Sequence, residues 1–149
     1  MSAFQASWAG HRLQDSNMTH SGESLGQEII DLFAISTNTL SEFNSATYTG
    51  VSLWALSLWD KYLPSESVLK ANAPMMIRCT WETVGELWHP QLKNLAGSWD
   101  RTYGWDMNRY VSLIALHIWN IVGKEFSSLT KSVRFIYLCS GIHQMLNTL

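Results

Sequence analysis

An all-α fold is predicted for this chain by three observations. Apolar residues recur at intervals of three and four along most of its length, no alternating apolar–polar run reaches a convincing strand, and Gly, Pro and Asn fall between the periodic stretches. About five helices packed as antiparallel hairpins account for these patterns. The 149 residues suffice for one domain with an ordinary core. Charged residues make up only 15% against 46% hydrophobic. The charged share is low beside the roughly 25% of average domains, so much helix surface must be buried within the chain or against a partner.

The elements follow in order. Residues 1–23 are polar, show no sustained period and read as a flexible N-terminal arm, leaving residues 24–149 as a single helical domain. Over 24–40, Leu25, Ile29, Leu32 and Phe33 share a helical face, with Ser24 as N-cap and Gln27 completing a capping box. The stretch 41–50, SEFNSATYTG, is rich in turn formers and reads as a loop. Val51, Trp54, Ala55, Leu58, Trp59 and Tyr62 mark the next helix, which closes at Leu63 because the residue before Pro64 avoids helical geometry. Val68, Leu69 and Ala71, then Ile77, Trp81, Val84, Leu87 and Trp88, carry a third helical pattern to His89; Pro74 either kinks it or opens a second piece. The stretch 93–108, KNLAGSWDRTYGWDMN, is a second loop. Met107, Tyr110, Val111, Ile114, Ala115, Ile118, Trp119 and Val122 then give the cleanest stripe, with Asp106 as N-cap and Gly123 as stop. A last helix is compatible with 129–146.

Composition excludes several functions. A formal charge of -2 and a pI near 6.2 leave no electrostatic footprint for nucleic acid. Cys79 and Cys139 are too few for a disulfide framework and lack zinc-site spacing, so free buried thiols are expected, with no metal and no cofactor. Residues 1–17 contain no apolar core of a secretory signal, and the apolar run 111–122 is interrupted by Ser112, His117 and Asn120 and too short to span a membrane. A cytoplasmic protein without a membrane partner is the expectation. Eight Trp residues must find cover in a core, a groove or an interface.

The two loops are where chemistry is expected. Both exceed the roughly two to eight residues usual between packed helices, and decorated loops of that length generally carry function. If consecutive helices pair antiparallel, the two loops, separated by two helices, emerge at the same end of the helical layer.

The same loops carry a resemblance. EFNSATYTGVSLWALSLW resembles an E-[FY]-N-S-P-T-Y-x-G segment, and WHPQLKNLAGSWDRTYGWDMNRYVSLIALHIWNIVGKE a later segment with a G-P-[WY]-D-R-x-Y-G-x-D-M core, both found in a family of uncharacterised fungal proteins similar to α/α-toroid folds. The resemblance covers about residues 40–125. It implies helical hairpins arranged in a ring with a cleft at one end. Ala46 and Ser98 stand where the pattern has Pro, and the segment after Glu125 departs from the family's continuation. A closed toroid needs about twice as many helices, so the expectation is an incomplete arc from a truncated gene product, whose uncovered apolar flanks favour self-association.

Site candidates follow from the loops. Glu42, His89, Asp100 and Asp106 are candidate acid–base groups, and Asn44, Tyr48, Trp99, Arg101, Tyr103 and Trp105 candidate ligand contacts. Each has a plainer alternative: Asp100 pairs with Arg101 or caps backbone, Asp106 caps its helix, Glu42 is solvated and His89 binds a loop carbonyl. His117 reads as a core or flank histidine, and Trp54, Trp59, Trp81, Trp88 and Trp119 as core. Three functions remain open. They are a small-metabolite or carbohydrate-binding accessory protein of fungal secondary metabolism, an acid–base enzyme (lyase, hydrolase or isomerase) or its remnant, and a protein-interaction subunit. Binding leads, because no nucleophile–base or metal arrangement is visible.

Overall fold

The computed structural model describes residues 1–89, 91–97, 99–101 and 112–123. Among them are five helices, α1 (Ser2–Leu13), α2 (Ser16–Ile35), α3 (Ala46–Tyr62), α4 (Val68–Leu87) and α5 (Leu113–Val122), and one two-stranded hairpin, β1 (Trp88–His89) with β2 (Asn94–Leu95). The all-α class is therefore the class of the protein. The hairpin is antiparallel, with Trp88 opposite Leu95 and His89 opposite Asn94.

The chain divides into two compact units. The first comprises Met1–Ser41 with Ser52–Thr83, and the second Glu42–Val51 with Val84–Leu149, so neither is continuous in sequence.

In the first unit, residues 1–23 are not an arm. They form α1 and the start of α2, joined by a turn in which Gln14 takes a left-handed conformation and Asp15 caps α2 by accepting from the Met18 N–H at 3.0 Å. The cap is Asp15, not Ser24, which lies exposed in mid-helix. Ala3, Ser7 and Gly10 are buried at intervals of four and three. The face is helical in period but small in volume, and a hydropathy pattern does not register it. A methyl group at Gly22 would stand 2.2 Å from the Ser7 nitrogen, and one at Gly10 2.4 Å from the Thr19 nitrogen, so α1 and α2 touch backbone to backbone.

On α2 the buried face is Gly22, Gly26, Ile30 and Phe33, whereas Leu25 and Leu32 from the expected stripe are 40% and 63% exposed. Ile30 and Phe33 join Ala3, Leu56, Trp59, Leu63, Leu69, Ala73 and Met76 in one core cluster. Trp54 and Tyr62, also expected inside, are exposed. The helix α4 runs through Pro74 without a break, Pro74 itself being exposed. Cys79 is a free, half-buried thiol beside Met75, and Cys139 lies outside the described residues.

Glu23 joins three helices of this unit. Its carboxylate accepts from Ser7 Oγ of α1, from Ser67 Oγ at 2.8 Å and from the Val68 N–H at 2.9 Å, the last two at the start of α4, where a negative charge meets the positive end of the helix. His11 Nε2 stands 3.9 Å from the same carboxylate.

In the second unit, Ser45 Oγ accepts from the Tyr48 N–H at 3.4 Å at the start of α3, so the expected 41–50 loop is helical from Ala46 onward. Ser112 caps α5 by accepting from the Ala115 N–H at 3.2 Å, and Gly123 ends it. Asp106, the expected cap, lies outside the described residues, as does the helix expected over 129–146. No helix among the described residues is long and apolar enough to cross a membrane.

Two glycines test this packing in opposite directions. Gly22→Ala should lower stability by about 1–3 kcal/mol, because a backbone atom must give way. Gly85→Ala, where an added Cβ meets nothing within 4 Å, should raise it by about 0.5–1 kcal/mol through helix propensity. Urea unfolding followed by Trp fluorescence checks both; a neutral Gly22→Ala would refute the tight α1–α2 contact.

Candidate functional site

The two sequence segments expected to converge do so inside the second unit. Arg101 reaches the start of α3 in three ways. Its Nη1 donates to the Tyr48 hydroxyl at 3.1 Å, its guanidinium carbon stands 5.3 Å from the centre of the Tyr48 ring, and Nη1 lies 3.8 Å from Glu42 Oε1. The Arg101 backbone is tied as well, its carbonyl accepting from Ser45 Oγ at 3.3 Å. A ring face, a hydroxyl and a carboxylate thus surround one planar cation. The carboxylate is Glu42 and not the adjacent Asp100, which is exposed. With Arg101 and Glu42 side chains 55% and 41% exposed, this ion pair contributes little stability of its own, about 0–1 kcal/mol for such surface pairs.

The other candidates are placed as follows. Asn44 sits beside Gly97, its Nδ2 3.6 Å from where a Cβ on Gly97 would be. Trp99 is half-buried and donates its indole N–H to the Leu95 carbonyl at 3.0 Å, so its ring is held against the hairpin. His89 Nδ1 accepts from the Leu92 N–H at 3.2 Å, a task within the hairpin turn. Tyr103, Trp105 and Asp106 lie outside the described residues. Among the described residues, no group of three or more His, Cys, Asp or Glu is arranged to hold a metal ion.

His117 is half-buried, as expected of a core or flank histidine. Its Nε2 is 3.1 Å from the Gly50 carbonyl, and since a carbonyl carries no proton, Nε2 must carry the hydrogen. That bond fastens the first turns of α3 to α5. Gly50 permits the approach, for a Cβ there would fall 2.5 Å from Leu113 Cβ and 2.7 Å from the Ile114 nitrogen. The available signal was a polar side chain inside an apolar helix, which must find a hydrogen-bond partner. Burial pushes the His117 pKa below its ordinary 6.5, with the Gly50 bond pulling weakly the other way.

A separate cleft lies in the first unit at the α1–α2 turn. It is an open depression of about 560 Å³, lined by His11, Asp15, Thr19, His20 and Glu23, among others. Reading 1–23 as an arm concealed it.

The fold and the loop cluster define an all-α protein whose polar and aromatic groups gather where two sequence-distant segments meet. It belongs to the family described as a domain of unknown function (DUF8769), which matches residues 1–145. That match takes in the N-terminal helices, both loop segments and most of the segment after Glu125. No curated protein and no solved structure matches the chain.

The lowered pKa of His117 sets a pH dependence. In the unfolded chain the imidazole protonates near 6.5, while in the folded chain it protonates at lower pH. Below 6.5 the unfolded state therefore binds more protons. His117 contributes stability that is fully present above 6.5 and is lost as pH falls toward the folded pKa. His117→Gln, which keeps an N–H donor for Gly50, should lose less stability than the natural chain between about pH 7 and about pH 5. Parallel urea midpoints across that range would refute the assignment.

Proposed function

We propose that this protein binds a small metabolite or carbohydrate at the Glu42–Tyr48–Arg101 cluster and acts as an accessory protein rather than as a catalyst. The observation that supports this reading most directly is Arg101, stacked over Tyr48 and bonded to its hydroxyl 53 residues away in sequence. A planar cation fixed against an aromatic ring presents its fork in a defined orientation, and such a fork recognises carboxylates and vicinal oxygens. Asn44 and Trp99, carried by the same two segments, add an amide and a flat apolar wall suited to sugar or ring stacking. The resemblance to fungal proteins of toroid type is in keeping with a cleft at one end of helical hairpins, and with service in secondary metabolism.

Differential scanning fluorimetry and titration calorimetry with glucose, cellobiose, malate and citrate test the reading. At least one probe should bind, with Arg101→Lys weakening it by about tenfold, because lysine keeps the charge but loses the two-pronged geometry. Equal affinity of the natural and Arg101→Lys proteins for every binding probe would remove the cluster as the site. Consumption of a bound probe, lost on Glu42→Gln, would replace binding by acid–base catalysis.

A further inference from the structure

Among the described residues, one apolar strip of α2 lies outside the core cluster. Met18, Leu25 and Leu32 recur every seven residues and are 37%, 40% and 63% exposed, and Ile35, at 80%, extends the strip to the end of the helix. At 1.5 Å per residue the strip runs about 25 Å. The strip flanks the face of α2 that carries Gly22, Gly26, Ile30 and Phe33, which is already buried. The apolar surface of α2 is thus wider than the part the core cluster covers among the described residues, and a seam with a seven-residue repeat has the form that receives another helix.

Charge identifies the occupant. The 20 residues of α2 include Glu23, Glu28 and Asp31 and neither Lys nor Arg. Glu23 is held by the hydrogen bonds from Ser7, Ser67 and Val68. Glu28 and Asp31 are exposed, and helical periodicity sets Glu28 directly beside the Leu25–Leu32 interval. A second copy laid along the same strip would bring acids to acids with no cation on either α2, and an anionic membrane surface would repel them too.

We propose that this face docks a basic amphipathic helix of another protein, its apolar stripe along Met18, Leu25, Leu32 and Ile35 and its Lys or Arg residues against Glu28 and Asp31. The cations steer the approach and fix the register, while the apolar seam supplies the affinity.

The test uses the full chain and a fluorescein-labelled peptide of about 18 residues, long enough to cover the strip, with Leu at helical i, i+3, i+4 and i+7 spacing and Lys elsewhere. The Lys peptide should bind at least about tenfold more tightly than the same peptide with Glu for Lys. Leu25→Gln with Leu32→Gln should weaken Lys-peptide binding by at least about tenfold, with cooperative unfolding of the protein retained because neither side chain belongs to the core cluster. Glu28→Lys with Asp31→Lys should invert the preference toward the Glu peptide, a result that a merely destabilised protein cannot give. Equal affinity for the two peptides, or Lys-peptide binding that survives loss of both leucines, overturns the proposal. So does a dimer in sedimentation velocity that the leucine variant dissociates, which assigns the face to a second copy. Co-sedimentation with phosphatidylcholine–phosphatidylserine vesicles through the same leucines would assign it to lipid and equally overturn the proposal.

Discussion

The carboxylate of Glu23 constrains the first unit more than any other single group. It takes hydrogen bonds from Ser7 on α1 and from Ser67 and Val68 at the head of α4, so three helices must present donors to one side chain at once. Apolar packing alone permits sliding, since one methyl contact replaces another at small cost, whereas a partly buried carboxylate needs its particular donors. The interaction also meets a need of α4 itself. Val68 contributes one of the N–H groups that a helix cannot satisfy internally, and an acid from a distant helix accepts it.

Glu23 can reach those donors only because α1 and α2 approach so closely. At Gly22 and Gly10 even a methyl group would collide with the facing backbone. The pair is a helix contact built on the absence of side chains, with Ser7 serving both as a small residue in the interface and as a donor to Glu23. Dispersion rises steeply as backbones come together, so small residues do here what large apolar ones do around Trp59, Met76 and Leu69.

This division of labour explains what could and could not be read from the sequence. The helical class, the stop at Leu63-Pro64, the Gly123 terminus and the meeting of Arg101 with the Glu42–Tyr48 segment were all legible. They rest on local chemistry or on the length and decoration of the two loops. The α1 helix was not legible, because its buried face of Ala3, Ser7 and Gly10 has the right period but almost no hydropathy. The same blind spot shifted the face of α2: Ile29 and Phe33 of the expected stripe do meet the core, but Gly22 and Gly26 share the buried face and Leu25 and Leu32 lie exposed at its flank. Asp15 and Ser112 were passed over as caps for a related reason. N-cap chemistry is shared by Ser, Thr, Asp and Asn, and a polar stretch offers several equivalent candidates until tertiary contacts choose one.

In the second unit the cluster around Arg101 owes its geometry to backbone ties more than to its charges. A half-exposed ion pair such as Arg101–Glu42 is screened by solvent and holds neither partner firmly. The Ser45 hydroxyl bonded to the Arg101 carbonyl fixes the position from which the guanidinium sets out. The His117 bond to Gly50 fixes the first turns of α3, which carry Tyr48. Two polar side chains, each bonded to a carbonyl across a long sequence separation, thus determine where the ring and the cation meet. The charges then act on groups already in place, which is the arrangement that recognition requires: orientation is settled before a ligand arrives, and less ordering entropy is lost when it binds.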